Sequence, residues 1–242
     1  MPLFQERNYR KRINAGDMVS CHVEVKETDL WVSADVNLEK ETRDLVFNLR
    51  QQLEEYIKFH PEFATSLLPF QDDIYAPPIV QKMVDITKKI GVGPMACVAG
   101  VIAQDIGVSL LEFSEQVIVE NGGDIFLQAN RPITVSILAG NSRLSERFGL
   151  LIPVKNMPLG VCSSSATVGH SLSMGIADVV CLVSHSAGLA DGAATAIGNR
   201  IKSEKDLETV SVIVNKFEGI IGGVVIIDDK MATWGDIELV GL

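Results

Sequence analysis

Apolar residues alternate with polar ones near the start of the chain and then recur with a helical period. In the segment 18–36 every second residue is apolar on either side of positions 27–29, which predicts a β-hairpin. From Glu39 to Phe59 apolar residues recur every four positions among charged ones, which predicts an amphipathic helix. A proline-containing loop is predicted over 61–78. A second helix is predicted over 78–91, since proline favours the first turn of a helix and glycine follows the last.

A third helix, predicted over 91–103, is apolar on nearly every side and carries small residues at Ala96, Ala99, Gly100 and Ala103. Such a helix is typical of a buried position where another element packs close to its backbone. The second half is richer in strands, predicted over 116–119, 125–127, 133–138, 150–154 and 179–183, with helices over 187–199 and 205–217 and a closing hairpin over 224–228 and 231–234. Because strands and helices mix without a regular βαβ rhythm, the expected fold class is α+β, in a single domain over residues 1–242.

Composition and charge narrow the classes of function. Of the 242 residues, 47% are apolar and 21% are charged, which is typical of a globular protein. The formal net charge of −10 disfavours nucleic acid and anionic membranes as partners, because both require a basic surface. An anionic ligand would therefore need backbone amides, a helix N-terminus or a metal ion. A charged N-terminus, no run of about 18 apolar residues and four widely spaced cysteines predict a cytoplasmic protein with reduced thiols.

Two glycines stand between two predicted strands in the segment Asn121-Gly122-Gly123-Asp124. Glycine permits positive φ, so one interpretation is a tight hairpin turn and no more. The alternative is a ligand-binding turn, in which the bare backbone of Gly122 and Gly123 lets a ligand approach while Asn121 and Asp124 supply polar contacts. The segment by itself leaves both interpretations open.

Asp191 and Thr195 lie four positions apart in a predicted helix and so share one of its faces. A carboxylate and a hydroxyl among alanine and glycine residues form half of an oxygen-ligand site for a hard cation such as Mg²⁺. The alternative is structural: Asp191 would be favoured near the positive end of the helix, and Thr195 would bond back to a backbone carbonyl.

Consecutive hydroxyl residues follow Cys162 in the segment 162–171, and they indicate a phosphate-binding loop. The candidate ligand-binding residues of this loop are Ser163, Ser164, Ser165 and Thr167. His170 is the candidate catalytic residue, as a general base, because an unperturbed histidine titrates near neutral pH. A structural hydrogen-bonding role is the alternative for His170. Cys162 is either a reactive thiol or, as is commoner for cysteine, a buried strand residue.

Taken in order, the segments GVGPMACVAG, VENGGDI, SSSATVGHS and ADGAAT resemble the ApbE superfamily, which contains the FAD:protein FMN transferases. The whole chain is most similar to a branch of uncharacterised bacterial and archaeal ApbE-like proteins, which also has the turn Glu27-Thr28-Asp29-Leu30. The resemblance implies an α+β fold with a duplicated T-fold-like core. It also implies Mg²⁺ bound by Asp191, Thr195 and the backbone carbonyl of Ala96, with a flavin beside the turn at 121–124.

The chain departs from the transferases in the segment that follows the serines. Where they have His-Ile-Ile-Asp-Pro, His170 is followed here by Ser-Leu-Ser-Met. The chain also has no match to the transferase segment that helps to hold the FAD adenine. The chain therefore resembles the transferases in the metal-binding half of their site and departs from them in the half that holds the dinucleotide.

Three hypotheses of function follow from these patterns and the resemblance. The first is an uncharacterised cytoplasmic ApbE-like protein whose Mg²⁺-assisted site takes a small anionic ligand, phosphate-bearing and flavin-like, with His170 moving a proton. The second is a transferase that uses FAD to attach FMN to a serine or threonine of a partner protein. The third is a non-catalytic carrier in sulfur assimilation, in homocysteine synthesis, that depends on Cys97 and Cys162. Mg²⁺ is the expected cofactor, and FAD is added by the transferase hypothesis.

Overall fold

An eight-stranded antiparallel sheet carries helices on one face and a three-stranded antiparallel sheet on the other. The computed structural model describes residues 16–165, 175–214 and 216–242. The strands are β1 (Val19–Val25), β2 (Thr28–Ala34), β3 (Val117–Asn121), β4 (Asp124–Gln128), β5 (Ile133–Ser136), β6 (Phe148–Ile152), β7 (Leu159–Ser164), β8 (Val179–Ser184), β9 (Ile220–Ile227), β10 (Lys230–Gly235) and β11 (Glu238–Gly241). The helices are α1 (Glu39–Phe59), α2 (Pro61–Thr65), α3 (Pro78–Ile90), α4 (Val98–Leu110), α5 (Ala187–Gly198) and α6 (Val210–Val214), with 3₁₀ turns at Pro94–Cys97, Val154–Asn156 and Glu204–Thr209.

The order of strands determines which loops meet. The large sheet runs β1-β2-β3-β4-β7-β8-β9-β10, and the small one runs β11-β6-β5. Residue pairs Leu30↔Asn121, Asn121↔Asp124 and Ile125↔Val161 bring the start of β2, the β3–β4 turn and the end of β7 to one end of the large sheet. The candidate site lies at that end.

Apolar side chains fill the space on both faces of the large sheet. On the helical face α1 lies over β1, α4 over β3 and β4, and α5 over β7 and β8. Val119 and Phe126 are buried on this side, as is Cys162, whereas Val161 packs on the other side with Leu150 of the small sheet. Burying one large apolar side chain stabilises a fold by about 1.5–3 kcal/mol, so this alternation fixes which side chains of β3, β4 and β7 face the helices.

The elements with the clearest periodicity are confirmed. The β1–β2 hairpin, α1 and α3 lie where the pattern predicts them, and Gly91 ends α3 with φ +84°. The predicted strands from 116 to 183 are present, with ends within two residues of the prediction. The α+β class is confirmed.

Other predictions of secondary structure are wrong in part. The stretch 61–78 contains α2, because Phe63 is fully buried there and packs edge-on against Tyr56 and Phe70. The helix predicted over 205–217 is a 3₁₀ turn followed by the short α6, although Ser203 and Asp206 form a capping box at its start. Strand β11 was not predicted, because its four residues are too short to show a period.

The apolar helix predicted over 91–103 is a 3₁₀ turn at Pro94–Cys97 followed by α4, which continues to Leu110. Most of α4 is buried between the large sheet and α5. None of the described helices is by itself long and apolar enough to cross a bilayer, and α3 with the segment 94–110 reaches that length only as a pair bent by 98°.

Candidate functional site

The β3–β4 turn supplies two buried polar side chains to the site. Gly122 and Gly123 adopt φ of 68° and 106°, and Asn121 pairs with Asp124 across the turn. This confirms the hairpin turn. Asn121 and Asp124 share the face of Val119 and Phe126, which is turned towards the helices, and they are only 8% and 6% exposed. The Gly123 amide donates to Glu120 Oε1 (2.8 Å), which fixes the turn from the other side.

The first turn of α4 is held by side chains from two other elements. The Gly100 amide donates to Asp191 Oδ2 of α5 at 2.8 Å, and the Ala99 amide also bonds to this carboxyl. Asn121 Nδ2 donates to the Ala99 carbonyl at 3.1 Å. Amides at a helix N-terminus favour a negative charge, so the ionised form of Asp191 is stabilised by the dipole of α4. Asp191 is the fifth residue of α5 and lies beyond that helix's own first turn.

Asp191 and Asp124 are brought together although 67 positions separate them in the chain. Asp124 Oδ1 accepts a hydrogen bond from the Ser163 amide at 3.3 Å. Burial raises the pKa of Asp124 well above its usual value, and the charges of Asp191 and Glu120 raise it further. Burial also raises the pKa of Asp191 to about 7, although the Gly100 and Ala99 amides lower it. Two like charges in a buried place cannot both be ionised at low cost, so one carboxyl keeps a proton unless a cation binds.

Two side chain–backbone bonds set the alignment of α4 against α5. Gly100 bonds to Asp191, and one turn further along α4 the Gln104 Oε1 accepts from the Ala187 amide at 2.7 Å. The two helices are therefore antiparallel, with one turn of each between the bonds. They approach closely, because a methyl group on Gly100 would lie 2.5 Å from the Ala187 carbonyl oxygen.

Thr195 lies one turn after Asp191 in α5, and Ala96 lies in the 3₁₀ turn that precedes α4. Within α4 and α5, a step of four residues along one helix is matched by four in the opposite direction along the other, so 104 faces 187 and 100 faces 191. The Ala96 carbonyl oxygen does lie near this part of α5, at 3.9 Å from a methyl group placed on Gly192. Thr195 is half-buried, and its hydroxyl makes no hydrogen bond to any residue that the structure describes.

The residues implied for Mg²⁺ fit a hard cation by the chemistry of their donors. Asp191 offers a carboxylate, Thr195 a free hydroxyl and Ala96 a backbone carbonyl, all of them oxygen ligands of the kind that Mg²⁺ takes. Within the described ranges, no group of three His, Cys, Asp or Glu side chains is arranged around a metal. The set of three donors needs no such group, because only one of them is a carboxylate.

The serine-rich segment lies partly in strand β7 and partly beyond its end. The loop prediction is wrong for Ser163 and Ser164, which form the end of that strand. Cys162 is the buried strand residue of the second interpretation, since it packs in the core beneath α5. The Ser163 hydroxyl bonds to the Cys181 thiol, and so it lies on the face away from Asp191. Ser164 is buried and Ser165 is half-buried. Thr167 and His170 lie outside the described residues. That these residues bind a ligand or move a proton stays a prediction.

Cys97 and Cys162 line the site as buried thiols. The Cys162 thiol lies 3.2 Å from the Ala187 carbonyl and also bonds to Asp124, while the Cys97 thiol lies 3.3 Å from the Pro94 carbonyl. Burial raises the pKa of both cysteines well above the usual value, and nearby carboxyls raise it further. Because the thiolate is the reactive form, both thiols are poor nucleophiles in this setting.

Two features of the site were missed by the sequence analysis. The pairing of Asp124 with Asp191 has no local signal, since it depends on β4 and α5 meeting through β7. Gln104 did carry a signal: it is a lone amide among the apolar residues that precede it in α4, and such a side chain needs a buried partner.

Comparison with known proteins identifies the family. Residues 10–215 match the family described as "AbpE bacteria". A UPF0280 protein of Methanocella arvoryzae is 40% identical over 213 residues, which cover 88% of this chain and 86% of the relative. A UPF0280 protein of Methanocaldococcus jannaschii is 38% identical over 220 residues, covering 88% of this chain and 89% of the relative.

Solved structures share the fold at low sequence identity. The flavin transferase ApbE from Vibrio cholerae superposes with a TM-score of 0.55 at 13% identity, over 90% of this chain and 96% of that one. The apo form of the Pseudomonas stutzeri flavinyl transferase ApbE gives 0.56 at 12% identity, over 97% and 96%. The ApbE-like fold implied by the sequence resemblance is thereby confirmed. This chain belongs to the bacterial AbpE family and is an ApbE-like protein related to the UPF0280 proteins of archaea.

Proposed function

We propose that this protein binds Mg²⁺ through Asp191, Thr195 and the Ala96 carbonyl, together with a phosphate-bearing ligand of the flavin class beside the β3–β4 turn. The observation that carries the proposal is the buried Asp124–Asp191 pair at the N-terminus of α4. The neighbouring charge that acts on this pair, Glu120, is itself negative. A buried pair of acids favours a cation, and a cation in turn attracts an anionic ligand to a protein whose net charge is −10.

The chain's own residues perform distinct tasks at this site. The Gly100 and Ala99 amides orient the Asp191 carboxyl, and Asn121 holds the Ala99 carbonyl in place. The glycines of the turn leave its backbone bare, so a ligand can approach without meeting a side chain. Mg²⁺ supplies neutralisation of phosphate charge when it is bound. His170 is the proposed proton carrier.

The likeness to solved structures supports the flavin class of ligand. The Vibrio cholerae protein is a flavin transferase and the Pseudomonas stutzeri protein a flavinyl transferase. Transfer of FMN from FAD to a serine or threonine of a partner protein is therefore the second candidate function. The carrier function in sulfur assimilation has no such support, because Cys97 and Cys162 are buried and their raised pKa keeps them protonated.

Titration of the purified protein with FAD by isothermal calorimetry tests the proposal. We expect binding in the presence of Mg²⁺ and a large loss of affinity with EDTA. The reason is that Mg²⁺ neutralises the Asp124–Asp191 pair, whose negative charge would otherwise repel the ligand phosphates. Inorganic pyrophosphate and FMN serve as partial ligands that show which half of FAD is held. No binding of any of the three at high micromolar concentration with Mg²⁺ would remove the flavin proposal. Release of AMP from FAD would favour the transferase, since FMN transfer leaves AMP behind.

A further inference from the structure

We infer that Gln104 is a positioning residue that sets the alignment of α4 and α5 and thereby brings the Mg²⁺ donors together; this rests on the proposed function. Its Oε1 accepts from the amide of Ala187, the first residue of α5, at 2.7 Å. Ala187 is 1% exposed, so without Gln104 the amide of this buried residue would lack its side-chain partner.

The bond from Gln104 is one of a reciprocal pair. Asp191 of α5 accepts amides at the start of α4, and Gln104 of α4 accepts an amide at the start of α5. Each helix therefore stabilises the N-terminus of the other, at places one turn apart. A shift of α5 by one residue along α4 would break both bonds.

Only one of the two bonds is independent of the ligand site. Asp191 is itself a proposed metal donor, so its carboxyl has to serve both the Gly100 amide and the cation. Gln104 has no such second task, and its bond to Ala187 lies one turn away from the Gly100–Asp191 bond. The Gln104–Ala187 bond is therefore the one that keeps α5 in place when the carboxyl of Asp191 turns to a cation.

Close packing makes the alignment discrete. Methyl groups on Gly100 and Gly188 would each lie 2.5 Å from an atom of the opposite helix, the Ala187 carbonyl oxygen and Val101 Cγ2. Small residues at these positions let the helix backbones approach, so the helices interlock in steps and do not slide continuously. Because the alignment is discrete, a change caused by loss of the Gln104 bond is expected to move the whole helix pair, including Asp191 and Thr195.

Two variants of Gln104 distinguish the effect of its acceptor oxygen from the effect of its size. Gln104→Leu keeps the bulk and removes the acceptor, whereas Gln104→Glu keeps an oxygen within reach of the Ala187 amide. We expect Gln104→Leu to bind Mg²⁺ at least about tenfold more weakly than the wild type, the usual size of effect for a residue behind a metal ligand. Gln104→Glu is expected to bind Mg²⁺ with at least about one third of the wild-type affinity.

Ser114→Ala is the matched control. Ser114 Oγ accepts from the Asp35 amide at 3.0 Å, near the opposite end of α4, so its loss also leaves one backbone amide without a side-chain acceptor. The Mg²⁺ affinity of Ser114→Ala is expected to equal that of the wild type. Equal weakening in Ser114→Ala and Gln104→Leu, or wild-type affinity in Gln104→Leu, overturns the inference. Should Gln104→Leu fail to fold, Gln104→Asn, whose amide is one methylene too short, replaces it with the same expectations.

Hydrogen exchange at the Gly100 amide gives a second measurement that needs no metal. This amide reports the Gly100–Asp191 bond, so its protection is expected to fall in Gln104→Leu and to persist in Gln104→Glu and Ser114→Ala. If the wild type binds no Mg²⁺, the proposed function fails and hydrogen exchange alone decides about Gln104. Unchanged protection in Gln104→Leu would then refute the positioning role.

Discussion

Replacing Asp191 with asparagine is expected to stabilise the metal-free protein at pH 8 and to abolish its response to Mg²⁺. Burial raises the pKa of Asp191 from its usual value of 3.8 to about 7. A rise in pKa of this size corresponds to a free energy of about 4 kcal/mol, by which folding disfavours the ionised carboxylate. Asparagine keeps an oxygen for the Gly100 amide and carries no charge, so we expect a gain of about 2–4 kcal/mol in the free energy of unfolding.

The pH dependence follows from the direction of the shift. Between about pH 4 and pH 7 the native state holds a proton on Asp191 that the unfolded state has already lost. The contribution of Asp191 to stability is therefore fully present at low pH and falls as the pH rises through 7. The stability difference between Asp191→Asn and the wild type should grow over this range and level off above it.

Urea unfolding of both proteins, in EDTA and in Mg²⁺, measures these effects. At 100 times its Kd, Mg²⁺ should add about 2.7 kcal/mol to the wild type and nothing to Asp191→Asn. Asp206→Asn is the contrasting control: Asp206 accepts the Lys202 and Ser203 amides, which lower its pKa, so its substitution should destabilise the protein at neutral pH. An Asp191→Asn protein that is less stable than the wild type in EDTA at pH 8 would show that the buried charge is already compensated.

Substitution of Gly100 with alanine is the second change with a large expected effect. The added methyl group would lie 2.5 Å from the Ala187 carbonyl oxygen and 2.8 Å from Asp191 Cβ. Both contacts are far inside van der Waals distance, and the first is with backbone, which cannot rotate away. We expect a loss of about 2–3 kcal/mol in stability, the upper range for overpacking, and at least a tenfold loss of Mg²⁺ affinity, because α5 must move away from α4.

Gly241→Ala is the matched control for that substitution. Nothing lies within 4 Å of a methyl group at Gly241, so its stability should change by less than about 0.5 kcal/mol. Thermal unfolding of the two variants, followed by Mg²⁺ titration of each, checks both expectations. If Gly100→Ala behaved like Gly241→Ala, the close approach of α4 and α5 would not determine the geometry of the site.

The sequence predicted those elements whose signal is local. In α1 the apolar stripe runs over 21 residues, and the Pro and Gly at the ends of α3 mark its bounds. Strand β7 escaped prediction because Gly160 interrupts its apolar pattern. That glycine is needed because the backbone of Ala187 packs directly against it, a contact between residues 27 positions apart.

The candidate site was predictable in its parts and unpredictable in its assembly. The four-residue spacing of Asp191 and Thr195 and the glycine turn at 121–124 are visible in the sequence. Asp124 and Asp191 meet only because β4, β7 and α5 pack together, and Gly100 and Asp191 are 91 positions apart. No periodic pattern encodes contacts between such distant residues. The resemblance placed the turn at 121–124 and Asp191 in one site, but it did not give the Asp124–Asp191 or Gly100–Asp191 contacts.

Anomalous scattering from crystals grown with Mn²⁺ tests the central claim most directly. Mn²⁺ takes the oxygen ligands that Mg²⁺ takes and can be located without ambiguity. The account predicts one strong peak about 2.0–2.3 Å from the Asp191 carboxylate, the Thr195 hydroxyl and the Ala96 carbonyl. A strong peak elsewhere in the protein, with none between these three groups, would contradict it.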